Sequence, residues 1–161
     1  MADASRNQEQ EFQDPLENYD PPKYDDPLEQ ALAEVPVSDI KATPVARIEP
    51  DATVEEAVRA LSDLDVACLL VVQDERLLGV FSERDVLKQV AHRYDEVKRR
   101  PVHEFMTRDP VYVYDSDASA SALCVMAVSG YRHVPILDID EQVVGILSPQ
   151  RVTACLMEFF D

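Results

Sequence analysis

A serine and an aspartate stand three residues apart in GVFSERD, Gly79 to Asp85, where an apolar run gives way to polar residues. A serine hydroxyl can donate a hydrogen bond, and an ionised carboxylate accepts from several donors at once, so Ser82 and Asp85 have the chemistry to hold a ligand's hydroxyl groups. The same spacing fits a capping box, in which the serine is the N-cap of a helix and the acid is its third residue. The residues alone leave both interpretations open.

A second copy of this stretch, GILSPQR, runs from Gly145 to Arg151. It keeps the glycine and the serine and adds Pro149 at the favoured first position of a helix. Arg151 stands where the first copy has its aspartate. The sequence therefore predicts two equivalent strand-to-helix turns of opposite charge.

The two turns belong to an internal repeat that covers about residues 37–161 at an offset of 66. Each copy has the order strand, helix, strand, strand, helix, and Thr53 with Glu56 predicts a capping box for the first helix. The predicted strands are 45–48, 68–73, 77–82, 111–114, 133–138 and 142–148, and the predicted closing helices are 83–92 and 149–160. A unit of roughly 60 residues buries little surface alone, so the copies are expected to share one core in an α/β fold.

Residues 1–35 are predicted to form an acidic, proline-rich extension, followed by one repeat over 36–95 and another over 96–161. The extension shows no apolar periodicity, which favours a mostly mobile tail. Two near copies, DPLENYD and DPLEQAL, each begin with Asp-Pro, which is a favourable helix start. A segment docked on the body or on a partner chain is therefore the alternative.

The charge and the cysteines limit the classes of function. A net charge of −17 argues against nucleic-acid binding, although residues 76–108 carry eight Arg and Lys against five acids and could attract an anionic small molecule. No apolar run is long enough for a membrane span, and the start does not resemble a signal peptide. Cys68, Cys124 and Cys155 lie in apolar surroundings, which predicts packed, reduced thiols in a cytoplasmic protein and no metal site.

The duplicated pattern resembles a pair of cystathionine-β-synthase (CBS) domains, also called a Bateman module. The segments that carry the resemblance are EFMTRDPVYVYDSDAS, SGYRHVPILD and the two strand-to-helix turns. The resemblance covers about residues 37–161. It implies two tandem β-α-β-β-α repeats packed as one pseudo-two-fold disc, with clefts that bind adenosine derivatives, and a tendency of two such modules to form a homodimer.

The resemblance also assigns roles to residues of this chain. Asp85 would accept from the ribose hydroxyls, and Ser82 would donate to ribose or phosphate. The second cleft is in doubt as a nucleoside site because Arg151 replaces the aspartate there, but Arg151 could reach the phosphates of a ligand held by Asp85. The remaining expected contacts are Val111, Tyr112, Val134 and Pro135 around the base, and Arg132 and His133 near the phosphates. For His133 the alternative is a hydrogen-bonded polar residue at a strand end. Arg84, in the first turn of its helix, either contacts phosphate or only pairs with Glu83 or a surface acid.

The sequence contains no recognisable set of catalytic groups, so a non-catalytic role is predicted. The leading hypothesis is a regulatory module that needs no cofactor, binds AMP, ADP or ATP and signals to a protein partner that the sequence does not identify. S-adenosylmethionine, NAD or a cyclic dinucleotide are alternative ligands. The second hypothesis is a scaffold of the same fold with empty clefts.

Overall fold

The computed structural model describes residues 20–40 and 45–158, which contain two small mixed sheets, one for each repeat. The strands, in the order β1-β2-β3-β4 and β5-β6-β7, are β1 (Arg47–Ile48), β2 (Cys68–Gln73), β3 (Arg76–Ser82), β4 (Thr107–Arg108), β5 (Val113–Tyr114), β6 (Val134–Leu137) and β7 (Val143–Leu147). The α-helices are α1 (Pro27–Glu34), α2 (Val54–Asp63), α3 (Glu83–Asp85), α4 (Tyr94–Val97), α5 (Ser119–Ser129) and α6 (Pro149–Met157). The α/β class and the duplicated order of elements agree with the prediction.

The strand register shows that the two copies are not related by one constant offset. The register shifts after Val71 in β2 and after Ile136 in β6, which are 65 residues apart, as are the helix N-caps Thr53 and Ala118. The copies therefore differ by 65 residues up to the hairpin of each sheet. The hairpin between β2 and β3 turns through two residues, whereas the hairpin between β6 and β7 turns through three. The predicted offset of 66 is therefore wrong before the hairpins and holds only after them.

The helices after the first strands begin differently in the two repeats. At the start of α2, the Glu56 carboxylate accepts from the Thr53 backbone at 2.8 Å, and the Thr53 hydroxyl accepts from the Glu56 backbone at 3.2 Å, as the predicted capping box requires. The N-cap of α5 is Ala118, which provides no side-chain cap. Helix α5 ends at Gly130, whose φ of +65° suits the left-handed C-terminal turn.

Each repeat is completed by the leading segment of the other repeat. Val37 and Ile40 stand at the start of the first repeat, before β1, but are buried in the core of the second. Val102 and Phe105 stand at the start of the second repeat, before β5, but are buried in the core of the first. The backbone N–H of Val37 donates to Asp117 at 2.8 Å, which fixes one of these exchanged segments in place. Neither repeat has a complete core of its own.

A third apolar cluster lies between the two sheets and contains side chains from both repeats. Its buried members are Cys68, Leu70, Val72, Val80, Leu137, Val143 and Ile146. At its edge, the Arg47 guanidinium donates to the Val143 carbonyl at 2.6 Å and pairs with Glu75 at the same distance. The predicted common core is therefore present.

The last part of the predicted extension, α1, packs on α5 and α6 of the second repeat. Asp26 is its N-cap and Pro27 its first residue, as the Asp-Pro signal indicates. The Ser119 hydroxyl lies 3.3 Å from the carbonyls of Ala31 and Leu32, and Ala31 is buried. Residues 27–34 thus follow the docked alternative, whereas DPLENYD lies outside the described residues apart from Asp20.

The closing helix of the first repeat is irregular, unlike the single helix predicted over 83–92. Three α-helical residues are followed by a π-helical turn, Val86–Val90, and a 3₁₀ turn, Ala91–Arg93. The irregular turns bring Gln89 to the carbonyl of Phe105 at 3.0 Å, in the exchanged segment. We call residues 98–112, which join α4 to β5, the connector. The closing helix of the first repeat therefore departs from regular α-helical geometry where it packs on the connector.

Gly79 is required because the connector crosses it. Strand β4 pairs with β3 so that Gly79 lies opposite Arg108. A Cβ at Gly79 would lie 2.5 Å from the Met106 Sδ and 2.7 Å from the Thr107 carbonyl oxygen. The glycine of GVFSERD thus allows the connector to pass close to the strand before the turn.

Ile40→Ala tests the exchange of segments. Ile40 is only 3% exposed, and its truncation is expected to cost about 2–5 kcal/mol of unfolding free energy in urea. Because Ile40 packs on the second repeat, amide exchange should accelerate in α5 more than in α2. Ile139→Ala, at a position that is 87% exposed, is the matched control and should change stability by less than about 0.5 kcal/mol. Faster exchange confined to α2 would contradict the exchanged arrangement.

Gly79→Ala should destabilise the protein by about 1–3 kcal/mol in thermal or urea unfolding, because the added methyl group overpacks the crossing. Adding Met106→Ala should not restore the loss of stability, since the Thr107 carbonyl is backbone and remains in the way. Full recovery in the double variant would show that only the methionine side chain excludes a larger residue.

Candidate functional site

The turn after β3 holds its aspartate in a fixed orientation. Ser82 is the N-cap, and Asp85 Oδ2 accepts from the Ser82 backbone N–H at 2.9 Å and from its hydroxyl at 2.7 Å. Asp85 is only 6% exposed, which is unusual for a carboxylate unless it is hydrogen-bonded. The capping interpretation of Ser-x-x-Asp therefore describes the geometry of this structure.

A third donor reaches Asp85 from the connector between the repeats. The Thr107 hydroxyl lies 3.2 Å from Asp85 Oδ1, and Thr107 stands in β4 opposite Val80. Thr107 is not among the residues predicted to bind a ligand. The available signal was a hydroxyl residue in the segment EFMTRDP, but nothing in its spacing indicated that β4 would run beside the turn.

Asp85 also affects the buried thiol nearby. Cys68 pairs with Ser82 in the hairpin of the first repeat. Burial raises the pKa of the Cys68 thiol to about 12, and the negative charge of Asp85 adds to the increase. The thiol is therefore protonated at neutral pH, and Cys68 acts as an apolar residue beside the carboxylate.

Arg84 extends from the same turn toward the second repeat. Its guanidinium lies 3.4 Å from the carbonyl oxygen of Gly130, just before the predicted phosphate contacts Arg132 and His133. Glu83, at the start of α3, partly offsets the lowering of the His133 pKa by burial, Arg132 and Arg151. The structure thus brings Arg84 and the segment 130–133 together across the repeats.

His133 stands among positive charges. Its burial lowers the pKa below the usual 6.5, and the charges of Arg132 and Arg151 lower it further. The imidazole is therefore neutral at pH 7, so the two arginines supply the positive charge at this place. Arg132 and Arg151 are in this way both within electrostatic range of His133.

Arg151 occupies the turn after β7 that corresponds to Asp85. Ser148 is the N-cap of α6 and Pro149 its first residue, as predicted, but the Ser148 side chain makes no capping bond. The Arg151 guanidinium lies 3.4 Å from the Ile146 carbonyl, and the residue has further interactions. The two turns are alike in backbone position and opposite in charge.

The residues expected around a base fall into two groups. Val111 and Tyr112 are exposed just before β5, and the Tyr112 ring packs edge-on against Tyr114 with centroids 5.5 Å apart. The side chains of Val134 and Pro135 are fully buried in β6. Only Val111 and Tyr112 therefore present side chains to solvent, and β6 could offer a base no more than its backbone.

A separate surface pocket of about 420 Å³ lies beside the first repeat. None of the ten residues predicted to bind ligand lines this pocket. Its lining comes from the loop after β1, the hairpin of the first repeat and the connector, and consists of Pro50, Asp51, Gln73, Leu77, Leu78, His103, Met106, Arg108 and Asp109.

The cysteines differ from the prediction in one respect. All three are free thiols, but Cys124 is exposed on α5 rather than packed, while Cys68 is buried and Cys155 half-buried. Within residues 20–40 and 45–158, no group of His, Cys, Asp and Glu side chains is arranged to hold a metal ion. The helices of the same ranges include none that is long and apolar enough to cross a bilayer.

Comparison with known proteins identifies both repeats. The CBS domain family matches residues 37–92 and 102–158, one match for each repeat. A 17.7 kDa protein encoded in the bps2 3′ region of Acidianus ambivalens is 29% identical over 123 residues, covering 76% of this chain and 73% of that protein. The chain spans only 26% of another relative, the homoserine O-acetyltransferase of Methanohalobium evestigatum, with 26% identity over 133 residues.

Solved structures agree with this assignment. A CBS domain protein of Pyrobaculum aerophilum, complexed with AMP, superposes with a TM-score of 0.69 at 26% identity and covers 78% of this chain and 98% of its own. Arabidopsis CBSX2 in complex with AMP has the same identity and coverages and a TM-score of 0.68. The CBS domain family matches each repeat once, and the two repeats share a core. The chain therefore belongs to the CBS domain family and contains a tandem pair of its repeats.

Proposed function

We propose that this chain is a non-catalytic regulatory module that binds an adenine nucleotide, AMP, ADP or ATP, in the cleft beside Asp85. The observation that carries the proposal is the likeness of the whole CBS pair to two CBS proteins that were solved with AMP. S-adenosylmethionine and other adenosine ligands are alternatives. The positive charge of Arg132 and Arg151 near His133 favours a ligand that bears phosphate.

In the proposed complex, the ribose and the phosphate are held by different repeats. Asp85, fixed by Ser82, accepts hydrogen bonds from the ribose hydroxyls, because a carboxylate has more acceptor positions than the serine uses. Arg132 and Arg151 bind phosphate, with Arg84 and neutral His133 beside them. The base lies near Val111 and Tyr112 and contacts the backbone of Val134 and Pro135.

A ligand that bridges the repeats can also act as a signal. It stabilises the arrangement of the repeats that it binds best, and the population shifts only by that difference in affinity. Each exchanged segment packs on one repeat and is joined covalently to the other, so a change in the arrangement of the repeats also moves these segments. The protein that receives the signal is not identified by these residues.

An interaction scaffold without a ligand is the second candidate function. The observation in its favour is that Asp85 already accepts from Ser82 and Thr107 and is nearly buried, so the carboxylate is satisfied without a nucleotide. In that case the turn is only a helix start, and the apolar surface of the helices carries the function.

We also propose that the chain forms a homodimer and acts in the cytoplasm. Free thiols support a reducing compartment. Exposed apolar side chains on the helical elements, among them Leu87, Val128 and Met157, offer a surface to a second copy. Sedimentation velocity should detect a dimer that Val128→Glu weakens, because Val128 is 88% exposed on α5. A wild-type monomer at the highest soluble concentration would refute the dimer.

Asp85→Ala should abolish AMP binding measured by isothermal titration calorimetry, since it removes the proposed ribose acceptor. Glu56→Ala is the matched control: it deletes the acid of the other capping box in the same repeat, away from the cleft. Both substitutions should lower the unfolding free energy by about 1 kcal/mol through loss of a cap. Only Asp85→Ala should affect the nucleotide.

Arg151→Ala provides the phosphate test in the same titrations. It should weaken AMP and ATP about tenfold or more and leave adenosine unchanged, because only the phosphate contact is lost. Absence of heat from AMP, ADP, ATP and S-adenosylmethionine at millimolar concentration with the wild-type chain would instead favour the scaffold.

A further inference from the structure

The carboxylate of Asp85 has few acceptor positions left for a ligand. A carboxylate offers about four lone-pair positions, and described residues occupy three of them. Ser82 takes two on Oδ2, at 2.9 and 2.7 Å, and Thr107 takes one on Oδ1, at 3.2 Å. Two neighbouring ribose hydroxyls need two positions. A ribose therefore has to replace one of the present donors.

The two donors differ in how easily they can be replaced. Ser82 is the N-cap of the helix start, and its bonds to Asp85 are short and local. Thr107 makes the longest of the three bonds and belongs to a two-residue strand at the edge of its sheet. A hydroxyl on an edge strand can turn away at little cost to the rest of the fold.

We propose that Thr107 competes with the ligand for Asp85: its hydroxyl occupies the position on Oδ1 that a ribose hydroxyl takes, and binding releases it. This inference rests on the proposed nucleotide site and adds a residue that the sequence analysis did not assign. Thr107 therefore sets affinity for ligands with ribose hydroxyls without contacting the phosphate or the base.

The competition also connects the site to the connector. Thr107 follows Met106, which is buried in the core of the first repeat, and precedes the exposed pair Val111 and Tyr112 by only a few residues. Releasing Thr107 from Asp85 detaches β4 from the helix start while its pairing with β3 remains. Ribose binding in this way changes the contacts of the connector between the two repeats.

Thr107→Val tests the competition by calorimetry on the full chain. Valine keeps the shape and suits a strand but cannot donate, so AMP should bind about three- to tenfold more tightly than to the wild type. Thr107→Ser, which restores a hydroxyl, should return the affinity toward the wild-type value. The gain should disappear with 2′,3′-dideoxyadenosine monophosphate, which has no ribose hydroxyls to compete.

Thr53→Val is the matched control, because the Thr53 hydroxyl bonds the Glu56 carboxylate at 2.8 Å in a similar turn away from the cleft. It should leave AMP affinity unchanged. Equal or weaker AMP binding by Thr107→Val, or an equal gain with the dideoxy nucleotide, would overturn the competition while leaving the nucleotide site intact. No AMP or ATP binding by the wild type would overturn both proposals.

Discussion

The structure depends on a constraint of size: a β-α-β-β-α unit of this length cannot enclose enough apolar side chains by itself. The chain meets the constraint twice. The leading segment of each repeat fills the core of the other, with Ile40 in the second and Phe105 in the first, and a further cluster closes the space between the sheets. This arrangement brings the turn after β3 beside the second repeat, where the Arg84 guanidinium lies 3.4 Å from the Gly130 carbonyl oxygen.

The connector packs closely against β3, and this is why the turn from Ser82 to Asp85 makes contacts that a helix cap alone would not need. Gly79 makes room for Met106 and Thr107, and the connector then places a hydroxyl on Asp85. The same carboxylate thus stabilises the start of a helix and contacts the link between the repeats. A change at this carboxylate therefore affects the link between the repeats as well as the helix start, whereas a change at a simple cap affects the helix start alone.

Opposite charges in the two turns give the molecule a polarity that its backbone symmetry lacks. Asp85 is buried among donors, whereas Arg151 and Arg132 both lower the pKa of His133. In the proposed complex, a ligand with a neutral diol at one end and an anion at the other matches this polarity.

Much of this was predictable from local patterns. The duplicated order of strands and helices, the box at Thr53 and the caps at Ser82 and Ser148 follow from spacing and residue type. The exchanged segments, the contact of Thr107 and the burial of Val134 were not, because they depend on which distant elements pack together. The single-residue change of offset escaped detection since it falls in a hairpin turn, where an extra residue leaves both strands intact.

The exchange of leading segments has a consequence for the origin of the fold. A chain that carried one repeat and its own leading segment would have a core that this segment could not reach, because here each leading segment packs on the other repeat. Such a chain could complete its core only by exchanging segments with a second copy. That exchange would be an association between two molecules and would depend on concentration. When both repeats lie in one chain, the exchange is intramolecular and does not depend on concentration.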